Sequence, residues 1–453
     1  MAYDTVITGA RVIDPESGTD EILHLGIENG VIAALSRNSL SGKNEIDGQG
    51  LILAPGFIDI HTHEDTTEGE KAGFRIPRQT AACALRTGNT IILGGNCGGS
   101  NYPISGYLGA VKKASLPINC PTLIGNITLR KQIGVGNYDA ASPARIARLK
   151  DLAAAALDEG AAGISFGLQY APGTGFDELL ALAHVAAEKN KFFAVHIRYD
   201  TPLKAVLALE EVIAAAKISG ASLQISHLAA NVYGKDSSGN RNILIAADMI
   251  QAARQGGADI TADLYPYDTW ATGIKSAVFD HGFDGFNFNA GDLEILSGER
   301  AGQYCTQELF EQLRSIEEDT SVACHNAIPM EDMETAYTLG FTCVASDAVI
   351  SVGGGHIKGH PRSSSSPVRF LREFVREKKL FPLLEGIRKL TLVPAQRLRL
   401  EKKGRIREGC DADLVLFDFK SITDRAGFGV DICALPPEGI KYVFISGKDL
   451  FSY

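Results

Sequence analysis

Residues 54–64 read Ala-Pro-Gly-Phe-Ile-Asp-Ile-His-Thr-His-Glu, an apolar, β-prone run that ends in two histidines. The run predicts a buried strand. Because side chains two positions apart on a strand share a face, Asp59, His61 and His63 should project the same way from its end. Two neutral imidazoles that converge on one point are typical metal ligands. Taken alone, the pair also fits a polar strand end, so the rest of the chain has to decide between the two interpretations.

Apolar strands and amphipathic helices alternate from about residue 50 to about residue 400. Eight buried-type strands are predicted, at Leu51–His63, Thr90–Cys97, Thr122–Asn126, Ala162–Leu168, Phe192–Arg198, Ser222–Leu228, Asp259–Tyr267 and Phe341–Asp347. This α/β order predicts a (β/α)8 barrel of the TIM type, although a doubly wound open sheet would show similar local patterns. The Gly-, Phe- and Asp-rich segment at about 268–318 interrupts the order. It is predicted to be an insertion after the seventh strand, either in contact with substrate or an inert elaboration.

Both ends of the chain have the same character. Short strands with Gly and Asn turns fill residues 3–53, and the pattern returns at 413–418 and 441–445. Neither end could bury a sheet face alone, so we predict a small β-sandwich built from both termini. The predicted organisation is therefore 1–53 and 401–453 for the two parts of this sandwich, and 54–400 for the barrel.

The composition is that of an ordinary globular protein, with 453 residues, 45% hydrophobic and 22% charged. A formal net charge of −10 argues against nucleic acid or an anionic membrane as the main partner. We expect no leader peptide and no membrane-spanning segment. Eight cysteines without CxxC spacing suit reduced thiols, so we expect a cytoplasmic protein. The state of assembly is left open, with a homo-oligomer as one option.

Polar side chains collect where the predicted strands end. After His61 and His63 come Cys97 at the end of strand two, His196 of strand five, His227 of strand six and Asp347 of strand eight. In a barrel, all carboxyl ends of the strands surround one mouth. Singly, each residue also fits a core histidine, a tight-turn cysteine or a helix-capping aspartate. Together, four of the ten histidines with one cysteine and one aspartate predict a site for one or two zinc ions.

This order of residues resembles the amidohydrolase superfamily over essentially the whole chain. Many members carry a carboxylated lysine after strand four, whereas this chain reads Gly-Ile-Ser-Phe-Gly-Leu at 163–168. The Asn-Cys-Gly run at 96–98 instead looks like the metal-binding cysteine of the D-aminoacylases, which deacylate N-acyl-D-amino acids. The runs Gly-His-Pro-Arg at 359–362 and Asp-Leu-Tyr-Pro-Tyr at 263–267 are also similar to that subgroup.

The resemblance implies specific roles. Cys97, His196 and His227 would hold the tighter zinc, while His61, His63 and Asp347 would form a weaker second position, with Asp347 as the catalytic acid and base. Tyr265 or Tyr267 would help to bind a substrate carboxylate. One departure is Ala229, which stands where the subgroup usually has a carboxylate-binding lysine. Arg198, Lys235 or Arg362 could supply that positive charge, or the substrate could lack a carboxylate there.

The resemblance thus implies a zinc-dependent amide hydrolase acting on a small-molecule substrate. The leading hypothesis is deacylation of N-acyl-D-amino acids, or of a related linear amide, by attack of a metal-bound hydroxide. The first alternative is a hydantoinase- or dihydroorotase-like hydrolase of cyclic amides, against which the missing strand-four lysine speaks. The second alternative is a non-catalytic assembly protein on the same fold, against which the intact set of six ligands speaks.

Overall fold

The computed structural model describes residues 2–67, 73–198, 204–283, 288–316 and 320–450. Residues 284–287 and 317–318 of the predicted insertion therefore lie outside the described residues, as do the first residue and the last three residues of the predicted terminal segments.

The strands are numbered in chain order. Five near the start are β1 (Tyr3–Asp14), β2 (Thr19–Glu28), β3 (Val31–Ser36), β4 (Gly42–Asp47) and β5 (Ile52–Pro55). The next group is β6 (Phe57–Asp59), β7 (Thr66–Thr67), β8 (Asn89–Ile92), β9 (Ile124–Gly125), β10 (Gly163–Gly167), β11 (Phe192–His196), β12 (Ser222–Ile225), β13 (Ile260–Leu264), β14 (Trp270–Gly273), β15 (Leu293–Ile295), β16 (Ser321–Cys324), β17 (Thr342–Val344), β18 (Ile350–Gly353) and β19 (His356–Gly359). The last are β20 (Leu414–Phe417), β21 (Ile440–Ile445) and β22 (Lys448–Asp449).

The helices lie between these strands. They are α1 (Arg78–Arg86), α2 (Ile104–Ala114), α3 (Asn126–Gln132), α4 (Pro143–Asp158), α5 (Phe176–Glu188), α6 (Ala205–Ser219), α7 (Leu228–Asn231), α8 (Asn242–Gln255), α9 (Gln307–Ser315), α10 (Met330–Thr338), α11 (Arg362–Phe370), α12 (Leu383–Leu390) and α13 (Leu392–Arg397). The start of α4 has the expected chemistry, because the Ser142 hydroxyl accepts a hydrogen bond from the Arg145 N–H and Pro143 is the first helical residue. Within the described ranges, no helix is both long and apolar enough to span a bilayer.

Eight parallel strands close into a barrel. Six of them form one sheet in the order β17-β13-β12-β11-β10-β9, and β6 pairs in parallel with β8. Parallel bridges complete the ring: Gly94 with Thr122 joins the β8 and β9 segments, and Thr62 with Ala348 joins the ends of β6 and β17. The predicted barrel is therefore confirmed and the open sheet is excluded. All eight carboxyl ends meet at one mouth, which is where the polar residues were expected.

The strands of both chain ends form a second unit. They make one eight-stranded sheet in the order β22-β21-β20-β5-β1-β2-β3, with β4 paired to β1. Strand β5 connects the two ends, because it runs parallel to β1 and antiparallel to β20. Buried Val12, Leu25, Leu414 and Phe444 belong to a core of its own. The two termini thus assemble into one unit, as predicted, and in place of two separate sheets of a sandwich their strands belong to a single hydrogen-bonded sheet, while the exact domain boundaries stay a prediction.

The segment after β13 contains a small antiparallel sheet in the order β14-β16-β15. Trp270, Phe279, Phe283, Phe288 and Phe310 pack there against one another, with ring centroids 5.0–6.1 Å apart. Four of the phenylalanines of this segment therefore form, with Trp270, a core beside the barrel mouth.

Candidate metal centre

The six predicted ligands lie together at the barrel mouth. His61 and His63 follow β6, Cys97 follows β8, His196 ends β11, and His227 and Asp347 follow β12 and β17. Three groups could each hold an ion, with all ligand atoms of a group within 4.8 Å of one another: His61, His63 and Cys97; Cys97, His196 and His227; and His61, His227 and Asp347. Side chains that are far apart in the sequence thus form one compact cluster.

Cys97 lies at the centre of this cluster. Its sulfur is 3.3 Å from Nε2 of His61, 3.6 Å from Nε2 of His227 and 3.8 Å from Nδ1 of His196. Asp347 occupies the other side, with Oδ1 3.0 Å from Nε2 of His63 and 3.4 Å from Nε2 of His61. Sulfur, nitrogen and carboxylate oxygen atoms therefore face one another around a common space.

The local sequence explains why these side chains turn inward. Cys97, His227 and Asp347 have left-handed backbone, with φ of 53°, 34° and 48°. Such conformations are uncommon for residues other than glycine and often occur at functional sites. The glycines around Cys97 permit close approach, because a Cβ on Gly167 would lie only 2.2 Å from the Cys97 carbonyl oxygen. The Gly-Gly-Asn-Cys-Gly-Gly run is therefore a turn that seats the cysteine against strand β10.

The electrostatics of the cluster favour a bound cation. Burial alone would raise the pKa of the Cys97 thiol, but the adjacent His61, with hydrogen bonds from His196 and His227, holds that pKa well below its usual range. Burial likewise opposes ionisation of Asp347, yet Arg362 and His61 hold the pKa of its carboxyl well below normal. Burial would lower the pKa of His63, but Asp347 and Cys97 raise it to about 9.

The chemistry of the donor atoms fits zinc. A thiolate, imidazole nitrogens and a carboxylate are the ligands that zinc takes in proteins. The His61 side chain is completely buried, and Cys97, His196, His227 and Asp347 are each at most 7% exposed. Buried polar groups of this kind need a partner, and a divalent cation would satisfy them all.

Two buried carboxylates, which the sequence analysis did not assign to the site, support the cluster from behind. Asp263 accepts hydrogen bonds from Nδ1 of His61 and from the His227 N–H. Asp59 accepts from the N–H groups of His61 and Ser346, and burial raises its pKa to about 6. A sequence signal existed for both, because each is an acidic residue inside an apolar strand.

The predicted substrate-binding residues separate into two groups. Arg362 and Tyr265 reach the cluster: an Arg362 Nη2 lies 2.8 Å from Oδ2 of Asp347, and its guanidinium stacks 4.5 Å from the centre of the Tyr265 ring. Tyr267 instead packs against His360 and under the Arg369 guanidinium. Arg198 is directed to α6, where it pairs with Glu211 at 2.8 Å. The structure therefore brings Arg362 and Tyr265 to the site, but not Tyr267 or Arg198.

An open cleft of about 970 Å³ leads to the cluster and is lined by His63, Cys97, Asp347 and Arg362. Beside it, a smaller pocket of about 40 Å³ lies between His196, His227, Tyr265 and Trp270. Thr272 lines both spaces, and Lys275 lines the cleft. Part of the segment predicted as an insertion thus forms a wall of the site. Tyr170, which also lines both spaces, was missed because a tyrosine in a loop carries no distinctive sequence pattern.

This chain is similar to known proteins in both sequence and structure. A family model described as the amidohydrolase family matches residues 342–451. The N-acyl-D-glutamate deacylase of Alcaligenes xylosoxydans xylosoxydans is 29% identical over 99% of this chain and 93% of its own length. The D-aminoacylase of the same organism is 26% identical over 99% of this chain and 94% of its own.

A solved relative covers the same length. The crystal structure of the N-acyl-D-glutamate deacylase of Bordetella bronchiseptica aligns with a TM-score of 0.86 and 25% identity, over 100% of this chain and 97% of that one. That protein was crystallised with zinc and a phosphonate inhibitor that mimics the tetrahedral intermediate of its reaction. The similarity therefore extends over both the barrel and the terminal sheet.

Proposed function

This chain belongs to the amidohydrolase superfamily and is similar to its D-aminoacylases over almost its whole length, and from that premise we propose that it is a zinc-dependent hydrolase of linear amides. N-acyl-D-amino acids are the leading substrate class. The proposal rests mainly on the convergence of Cys97, His196 and His227 beside the Asp347 carboxylate. The ring nitrogens of the two histidines lie 3.8 and 3.6 Å from the cysteine sulfur.

The ligands divide into two positions. Cys97, His196 and His227 would hold the tighter ion, and His61, His63 and Asp347 would form the second position. When bound there, zinc polarises the substrate carbonyl and lowers the pKa of water to about 7. Position 165 carries a serine, whose hydroxyl donates to the Gly95 carbonyl. None of residues 163–168 is a lysine that could be carboxylated, and Cys97 would contribute to the ligand set instead.

Asp347 moves the proton. Its carboxylate faces the cluster and is oriented by His63 and by Arg362, at 3.0 and 2.8 Å. It takes the proton that the attacking water loses as the tetrahedral carbon forms. It then returns that proton to the amide nitrogen as the C–N bond breaks, so that a neutral amine leaves. Positioned proton transfer of this kind contributes about 10²–10⁴-fold in rate.

Arg362 is the group best placed to bind the substrate carboxylate in this chain. Ala229, at the position of the usual lysine, is 3% exposed and offers no charge. Arg362 lines the cleft, contacts Asp347 and is stacked on Tyr265, so that its planar guanidinium is fixed in orientation. Its Nε already donates to the Asp347 backbone carbonyl, so a substrate carboxylate would be bound through the two Nη groups.

The charged residues that line the outer cleft favour a substrate with a second negative charge. Arg75, Lys131 and Lys275 line its walls, whereas the acidic residues that line it in the described part of the chain are Glu64 and Asp347. A cleft with an excess of one charge attracts ligands of the opposite charge. We therefore favour N-acyl amino acids whose side chain or acyl group is acidic.

The charge of the cleft can be tested with Lys131→Ala and Lys275→Ala. Each is expected to raise KM for an acidic substrate about three- to tenfold, as expected for a partly exposed charge pair of about 1 kcal/mol, with little change for a neutral one. Steady-state kinetics at low and high salt measure this. Lys150→Ala, on the exposed face of α4, is the control. Equal KM changes for both substrates would contradict an electrostatic role.

The proposed function itself is tested with paired D and L forms of N-acyl amino acids, together with hydantoin and dihydropyrimidine substrates, on purified zinc-loaded protein. Release of free D-amino acid is the expected result. Ring opening without deacylation would instead assign the chain to the cyclic-amide hydrolases. Zinc binding without turnover of any of these compounds would contradict the proposed substrate class.

A further inference from the structure

Asp263 is a buried carboxylate that contacts two of the proposed ligands, His61 and His227. It lies near the end of β13 with 1% of its surface exposed. It is not a member of the groups of described residues that could hold an ion. Its carboxylate instead accepts three hydrogen bonds, from His61 Nδ1 at 3.1 Å, from the His227 N–H at 2.8 Å and from the Gln224 side chain at 2.8 Å.

The first contact decides the tautomer of His61. A neutral imidazole carries a single N–H. A carboxylate beside Nδ1 favours the tautomer in which Nδ1 carries this hydrogen and donates it in a hydrogen bond. The other nitrogen, Nε2, then keeps its lone pair, and this atom is the one that faces Cys97 at 3.3 Å and Asp347 at 3.4 Å. Carboxylates behind ligating histidines in this way fix the ring and increase the basicity of the ligand.

The second contact holds the backbone of His227. This residue has φ of 34° and ψ of 56°, a left-handed conformation that its chain neighbours alone would not favour. The hydrogen bond from its N–H to Oδ1 of Asp263 ties this turn to the neighbouring strand. The same oxygen therefore accepts from one histidine of each proposed ion position.

The carboxylate is itself held in place from the far side. Gln224 donates to Oδ2 of Asp263 and accepts from the Thr261 hydroxyl at 2.5 Å. Arg397 donates to that hydroxyl at 2.7 Å and is paired with Asp259. A continuous set of hydrogen bonds thus runs from the outer end of β13 to the ligand cluster, and it leaves Asp263 little freedom to rotate.

We propose that Asp263 is a positioning residue for both ion positions at once, acting through the His61 ring and the His227 backbone. The inference rests on the proposed metal-dependent function. It predicts that loss of the Asp263 charge weakens both positions together, whereas loss of a ligand from one position would weaken that position most.

The test is Asp263→Asn, which keeps the shape of the side chain and removes its charge. Zinc affinity is measured by competition with a chromogenic chelator, and the cobalt-substituted protein is examined for its thiolate-to-cobalt absorption band. We expect both dissociation constants to rise about 10- to 100-fold, as for other partners of ligating histidines, and the cobalt band to shift. Both readouts report the site without requiring a substrate.

Asp332→Asn is the matched control, because Asp332 is also 1% exposed and also accepts a backbone N–H, that of Gly234, but lies away from the cluster. Equal losses of affinity in both variants, or none in Asp263→Asn, would overturn the inference. If Asp263→Asn does not fold, Gln224→Met is measured instead. Loss of its hydrogen bond to Asp263 is expected to raise the zinc dissociation constants about threefold. Unchanged zinc affinity in that variant would overturn the inference. A wild-type protein that binds no zinc would instead overturn the proposed function.

Discussion

Asp347→Asn is expected to lower kcat by about 10²–10⁴-fold while the protein stays folded and keeps the zinc of the Cys97, His196 and His227 position. The reason is that an amide cannot take up the proton from water or return it to the leaving nitrogen. The amide keeps the size of the carboxylate, but only its oxygen can accept a hydrogen bond, so contact is kept with either His63 or Arg362 and not with both. The measurement combines single-turnover deacylation kinetics with metal analysis and a thermal melt of the same preparation.

Asp14→Asn provides the control for Asp347. Asp14 is also 1% exposed and also accepts backbone N–H groups, but it lies in the terminal sheet and contacts Ser17 and Ile406. It should lose stability without losing kcat. If Asp347→Asn keeps a near-normal kcat, the proton transfer belongs to another group.

Cys97→Ala is expected to lose most of its zinc, and activity with it. The Cys97 sulfur is the atom shared by two of the three candidate ligand groups. Its removal should cost more affinity than the roughly 10–100-fold that follows loss of a hydrogen-bond partner behind a ligand. Zinc content after dialysis against a weak chelator, measured by atomic emission, reports the effect.

Cys120→Ala is a closely matched control, because both thiols are 7% exposed and both belong to the barrel. The Cys120 sulfur donates to the Ile118 carbonyl and is not part of a candidate ligand group. It should retain full zinc content. Unchanged zinc in Cys97→Ala would remove the cysteine from the ligand set and with it the division into two positions.

The sequence was most informative where residue type and position in a strand coincide. His61, Cys97, His196, His227 and Asp347 all follow or end barrel strands, and the closure of the barrel alone brings them together. Their convergence could be predicted without knowledge of any loop, because parallel strands in a barrel share one mouth. Their role as ligands stays a prediction until metal binding is measured.

The substrate-binding residues were harder to predict, because their direction depends on packing. Arg198 follows β11 only two residues after His196, yet Glu211 on α6 draws its guanidinium away. Tyr265 and Tyr267 share one side of the strand pattern, but Tyr265 follows the last residue of β13 directly, whereas Tyr267 is three residues past that end and packs on His360. Strand alternation no longer fixes the direction of a side chain once the strand has ended.

The contacts of Asp263 could also not be predicted from the sequence. The sequence places an acidic residue inside an apolar strand, which signals a buried partner but does not identify it. The partners are His61, 202 positions away in the chain, and His227, 36 positions away. These contacts depend on the order of the strands in the closed barrel, which brings the three segments together.

The most direct measurement for the whole account is anomalous X-ray scattering at the zinc absorption edge, collected from zinc-loaded crystals of the wild-type protein. The account predicts a strong peak about 2.0–2.3 Å from Sγ of Cys97, Nδ1 of His196 and Nε2 of His227. A second, weaker peak is expected beside His61 and His63. A fully loaded crystal with no peak among Cys97, His196 and His227, or with zinc only at other surface sites, would contradict it.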